Sequence, residues 1–284
     1  MSSDPAGGAP GLLLGLASAA SWGAGDFCGG LTARRSNVYG VVAVSQALGL
    51  ALLAGLGLLL AEPLPSPADL AWGAAAGLAG GLGLLALYRG LALGRMGVAA
   101  PLAAVVSAGL PVLFGAFLEG LPQVTQLAGF VLALGAVWLL SRGEGPTRLR
   151  FSHLGLPLLA GLGFGLFLIV IDHASGQAVL WPLVAARVSS LALIAGLALV
   201  GGRGALPGRR VLPLVLLVGL FDTGGNAFYA LAAQAGRLDV AATLSSLYPA
   251  TTVLLARLVL KERLASWQWL GAAAALSAVM LIAA

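Results

Sequence analysis

Charge is what this sequence has least of. Only 9% of its 284 residues are charged, against 60% hydrophobic residues and a mean hydropathy of +1.01. Soluble domains carry about 25% charged and about 45–50% apolar residues, so a soluble fold would have too little polar surface to cover itself. Lipid must do that instead, and the chain reads as an integral membrane protein. Cysteine is nearly absent as well. Cys28 stands alone, which excludes an internal disulfide and a thiolate metal cluster.

Other absences narrow the function. No basic n-region precedes the first apolar run, so the "ASA" at Ala17–Ala19 is not read as a cleavage site and the first helix is expected to be retained. There is no GxxxxGK[ST] phosphate loop, no HExxH and no Cys/His cluster, so ATP-driven transport and metal chemistry are not expected, and no cofactor is. "GLGLLA" (Gly81–Ala86) matches GxGxxA but lies within an apolar run, outside the strand–turn–helix setting of a dinucleotide site. The net charge of +5 and pI near 10.1 come from basic residues scattered between apolar segments, not from an aromatic-interleaved basic stripe. No nucleic-acid partner is therefore expected.

Long apolar runs are what the chain does have. A transmembrane helix needs about 20 largely apolar residues. Ten segments fit, at roughly 11–32, 39–61, 70–93, 97–118, 124–142, 153–173, 178–200, 211–235, 240–260 and 266–284. The expected fold class is an all-α integral membrane protein with ten transmembrane helices. Stretches such as "EPLPSPAD" and "SRGEGPTRLR" separate the segments. That leaves no room for a soluble catalytic domain, and no enzyme activity is expected.

The two halves resemble each other at an offset of 142. Trp22-Gly23 falls on Phe164-Gly165, Gly77 on Gly219, Gly94-Arg95 on Gly236-Arg237 and Val98-Ala99 on Val240-Ala241. Charge tests this better than apolar matches do. If each half has five spans, the second enters the membrane from the opposite side, and equivalent loops should differ in Lys and Arg. Arg34 and Arg35 follow segment one, while the loop after segment six has no Lys or Arg. Segment two is followed by Glu62 and Asp69, segment seven by Arg203, Arg209 and Arg210. Glu119 alone follows segment four, whereas Lys261 and Arg263 follow segment nine. Only Arg95 and Arg237 do not discriminate. The expected organisation is a first five-helix repeat at 1–142, a basic linker at 143–152 and an inverted second repeat at 153–284. With Arg142, Arg148 and Arg150 at the centre, the positive-inside rule places both termini outside.

Specific stretches carry a family resemblance. "SWGAGDF" (Ser21–Phe27) is similar to the aromatic-Gly motif in the first helix of EamA-type members of the drug/metabolite transporter superfamily. "VAATLSSLYPATTVLLARLVLKERL" (Val240–Leu264) resembles the ninth-helix pattern, and "APLAAVVSAGLPVLFGAFLEGLP" (Ala100–Pro122) is a looser copy in which Glu119-Gly120 stands for the expected Gly-Glu. The likeness spans nearly the whole chain. It implies an electrochemically driven or facilitative permease, often an exporter of amino acids or other small metabolites, and the aromatic amino-acid exporter (YddG-like) branch shares the architecture. It also implies a midplane cavity lined by helices 1, 3, 4, 6, 7, 8 and 9, with helices 5 and 10 peripheral. Many ten-span relatives have both termini cytoplasmic, opposite to the charge count here.

Polar residues inside apolar runs are the site candidates. A charge at the centre of a span costs about 2.5–3.5 kcal/mol and normally meets a partner or a wet cavity. Asp222, Asn226 and Tyr229 share one helical face, with Gly224 and Gly225 beside them; they form either a buried hydrogen-bond network or a cavity stripe. Arg187 is the natural opposite charge, as a fixed partner of Asp222 or as the holder of a substrate carboxylate. Ser18, Trp22 and Asp26 make a second stripe, with Asp26 near enough to the helix end to pair with Arg34. Ser245, Tyr248, Pro249 and Thr252 make a third. Pro249 cannot donate to the Ser245 carbonyl, and a kink there would expose a hydrogen-bonding group; Pro111 repeats the arrangement for Ser107. Gln46 is a further cavity donor. Arg89 is expected to snorkel to the interface, Trp181 to join an aromatic belt, and Gly73, Gly77 and Gly81 to pack closely against a neighbouring helix.

The resulting expectation is a secondary permease of the bacterial inner membrane. It exports amino acids or similar small metabolites by alternating access, as a monomer or homodimer. If Asp222 titrates, protons are coupling partners; if it stays ionised, substrate runs down its own gradient. The rival is a multidrug or organic-cation exporter, with the carboxylates and Trp22 holding the cation.

Overall fold

Within hydrocarbon every backbone N–H and C=O needs a partner in the chain, which long apolar runs achieve by forming helices. A computed structural model describes residues 8–33, 36–92, 96–118, 120–141, 154–201, 206–261 and 265–283, and these are helix, turn and connecting loop throughout. In chain order the helices are α1 (Gly8–Ala33), α2 (Val38–Leu59), α3 (Pro67–Ala92), α4 (Met96–Leu118), α5 (Val124–Ser141) and α6 (Gly155–Ala174). The rest are α7 (Leu180–Val200), α8 (Leu212–Ala235), α9 (Leu238–Ser245), α10 (Tyr248–Val259) and α11 (Ser266–Ala283). Arg34, Arg35, Arg95, Glu119, Arg142, the linker at 143–152, Arg203 and Arg263 lie outside the described residues.

Among the described residues six stretches, one of them running through α9 and α10, are long and apolar enough to cross a membrane, and three shorter apolar helices accompany them. Bulky side chains such as Leu59, Phe117, Leu121 and Leu199 point outward, as a lipid-embedded surface allows. This is a multi-pass membrane protein.

Local chemistry sets several helix ends. At the start of α3, Asp69 Oδ2 accepts from the Ser66 amide at 3.2 Å while Ser66 Oγ accepts from the Asp69 amide at 3.2 Å, a reciprocal capping box with Pro67 at the first helical position. The amides that open α7 are capped from elsewhere. Glu62, in the α2–α3 loop, accepts from the amides of Val179, Leu180 and Trp181 at 3.0–3.2 Å, where a negative charge also meets the positive end of the helix dipole. Trp181 Nε1 donates back to the Glu62 carbonyl at 2.9 Å, so this tryptophan holds a loop and is not only a lipid-facing ring. Arg89 is exposed, donates to Tyr39 Oη and sits over its ring at 5.9 Å.

The ninth segment is not one helix. α9 and α10 are separated at Ser246–Leu247, so the kink expected at Pro249 is a full break. The chain tightens there: the Leu247 amide donates to Leu244 O at 3.2 Å and the Ala250 amide to Leu247 O at 2.9 Å, both three residues back. α4 runs unbroken past Pro111.

Packing follows a pattern that survives exchange of the halves. Exchanging α1 with α6, α2 with α7, α3 with α8, α4 with α9–α10 and α5 with α11 turns the α1–α8 contact into α6–α3, and α4–α6 into α1 with α9–α10. The α2–α7 and α5–α11 contacts map onto themselves. Small residues make these approaches possible. Gly73, Gly77 and Gly81 of α3 lie against Pro182, Ala186 and Ser190 of α7, where added Cβ atoms would overlap the neighbour.

Candidate functional site

At the centre is a partly open cavity of about 120 Å³. It is lined from α1, α2, α3, α4, α6, α7, α8 and the α9–α10 break, and among the described residues none from α5 or α11 lines it. Gln46 adds α2 to the helices expected from the resemblance.

The geometry of α1 against α8 explains how the polar side chains are held. Ser18 Oγ donates to Gly225 O at 2.8 Å, Ser21 Oγ to Phe221 O at 2.8 Å, and Trp22 Nε1 to Asn226 Oδ1 at 3.2 Å. Gly225 is needed at this crossing because the Trp22 ring occupies the space where a Cβ would stand. Trp22 also stacks on Tyr229, with ring centroids 5.9 Å apart and 27° between planes. Tyr229 is fully buried and donates from Oη to Leu168 O of α6 at 3.0 Å. It braces Trp22 and is not a cavity residue.

Charges meet one turn away. Arg187 Nη1 lies 2.7 Å from Asp222 Oδ2, and the same nitrogen donates to Gln46 Oε1. The arginine side chain is 6% exposed and the aspartate 35%, so the pair sits in the wall with its acidic partner toward the opening. Arg187 Nη2 and Ser190 Oγ are buried without a hydrogen-bond partner among the described residues. Asp26 also lines the cavity and is exposed there; its expected partner Arg34 lies outside the described residues.

The structure thus gathers Trp22, Asp26, Gln46, Ser107, Arg187, Asp222, Asn226 and Tyr248 around one space. Five other expected residues stand behind it. Ser18 and Tyr229 are structural bonds already described, Ser245 Oγ donates to Gly15 O at 3.4 Å, Thr252 Oγ1 to Gly23 O at 3.0 Å, and Pro249 is buried at the break. The four hydrogen bonds tie the ninth span or α8 to a neighbour. Ser190, Ser246, Phe164 and Phe167 line the cavity without having been singled out. Two signals were there: Ser190 lies one turn beyond Arg187, and Phe164 is the counterpart of Trp22 at the offset of 142.

A helical membrane bundle enclosing a partly open, charged and aromatic chamber has the architecture of a small-molecule carrier. The EamA-like transporter family model matches this chain twice, at residues 9–142 and 152–284. The chain belongs to that family, and is a membrane transporter of small molecules. A solved structure described only as "Crystal structure of protein" superposes with a TM-score of 0.80 at 16% identity, covering 95% of this chain and 97% of the other, which shows a shared fold. Comparison with curated proteins finds no match.

Proposed function

We propose that this protein is a secondary permease that exports amino acids or similar small metabolites across a bacterial inner membrane. The observation that carries the reading is the cavity itself: one guanidinium, Arg187, and two carboxylates, Asp222 and Asp26, around a partly open chamber with apolar and aromatic walls. A zwitterion needs donors at one end and a carboxylate at the other, and both are present. Two five-helix repeats of opposite orientation, 1–142 and 153–284, would rock about this chamber in alternating access, which the exchange-symmetric packing supports. The Lys and Arg distribution supports termini on the outer side.

A second reading, export of organic cations, is favoured by one observation. Among the described residues Asp26 has no counter-charge, and it sits beside aromatic walls suited to a cation. Uptake of labelled amino acids into proteoliposomes, with and without an imposed pH gradient, separates the readings. Accumulation above equilibrium only with the gradient means proton coupling, and equilibration regardless of it means a facilitator. If no amino acid moves while a bulky organic cation does, the second reading holds.

A further inference from the structure

The charges around the cavity do not balance. Among the described residues, three that line the cavity are charged, Arg187, Asp222 and Asp26. Arg187 and Asp222 neutralise each other at 2.7 Å, and Gln46 shares the same guanidinium nitrogen. Asp26 has neither an ion pair nor a hydrogen bond among the described residues, and its side chain is exposed to the cavity. An uncompensated carboxylate within a span is costly and marks a pathway or a binding position.

Its surroundings suit one kind of group. Trp22 lies one turn before Asp26 on α1, its ring fixed by Asn226 and by stacking on Tyr229. Tyr248, at the α9–α10 break, lines the same cavity as Asp26. Aromatic faces beside a carboxylate attract an ammonium group through both charge and ring quadrupole. Asp26 and Asp222 line one small pocket beside the main cavity, and of the two carboxylates it is Asp222 that the Arg187 guanidinium engages.

We propose that Asp26, and not Asp222, receives the ammonium group of the substrate, with Trp22 and Tyr248 as its flanking faces. This rests on reading the cavity as a substrate chamber. Asp222 then acts as a positioning residue that keeps Arg187 in place.

The test is direct titration of the purified full chain with three probes matched to the aromatic walls: phenylalanine, phenethylamine and 3-phenylpropionate. In Asp26→Asn, phenylalanine and phenethylamine are expected to bind about tenfold or more weakly, while 3-phenylpropionate binds as to wild type. Asp26→Glu keeps the charge but moves it by a methylene, and is expected to alter phenethylamine affinity selectively; it decides the matter if the asparagine variant does not fold. Equal amine affinity in wild type and the Asp26 variants, or an amine-selective loss in Asp222→Asn in its place, overturns the assignment while leaving the permease reading intact. Failure of wild type to bind any of the three overturns the assignment together with the amino-acid reading.

Discussion

The two ends of the Arg187–Asp222 pair should respond differently to substitution. Arg187 is almost entirely enclosed, whereas Asp222 keeps a third of its side chain accessible. Removing the aspartate strands a buried guanidinium, a loss of about 3 kcal/mol or more. Arg187→Met leaves Asp222 able to draw solvation from the cavity and should cost less. In detergent, the expected order of melting temperature is wild type, then Arg187→Met, then Asp222→Asn. The double variant Arg187→Met/Asp222→Asn should melt above Asp222→Asn, because no lone buried charge remains. A double variant whose loss equals the sum of the two single losses would mean the two residues are not coupled. Asp222 was legible from the sequence as an anomaly, and Arg187 as a possible answer to it. Their contact was not, since apolar flanks say nothing about how two helices rotate against each other. Tyr229 shows the same limit. Sharing a helical face with Asp222 and Asn226 placed it on the correct side of α8, but its depth depends on Trp22 and Leu168, which lie on other helices.

Among the elements, the break between α9 and α10 bears most directly on the site. It brings Ser246 and Tyr248 to the cavity, and Pro249 withholds the amide that a continuous helix would use. Proline in a helix interior costs about 3 kcal/mol relative to alanine. Pro249→Ala should therefore heal α9 and α10 into one helix without destabilising the fold, and turn Tyr248 from the cavity wall. Transport is expected to fall by about tenfold while the melting temperature holds or rises. Unchanged transport in a folded variant would leave the break a structural bend. Helix extents were legible because apolar length is a local signal, although the third segment was started at 70 and the Ser66–Asp69 cap ahead of it was not read. The spacing of Gly73, Gly77 and Gly81 announced close packing but could not name α7 as the partner. The cap on α7 was hidden altogether, because Glu62 is distant from it in the chain.

For the molecule as a whole, orientation is the open arrangement most directly measured. Cys28 is buried, so Cys28→Ser supplies a cysteine-free background. Leu64 in the α2–α3 loop and Leu206 in the α7–α8 loop are both exposed. With termini outside, a membrane-impermeant maleimide should label Leu64→Cys on intact cells and reach Leu206→Cys only after permeabilisation. The reverse pattern would place both termini in the cytoplasm, as in many ten-span relatives. The repeat was legible through its charges, which differ between equivalent loops where the apolar residues hardly differ at all.

The exchange of α2 with α7 has a further consequence for ancestry. At the offset of 142, Arg187 corresponds to Ser45, and these two helices pack against each other. Two identical half-length chains would carry one residue at both positions. Here the positions differ: Arg187 holds Asp222 and Gln46, whereas Ser45 lies against Gly219 of α8. A single gene for both halves lets the two copies diverge in this way, which identical subunits cannot do.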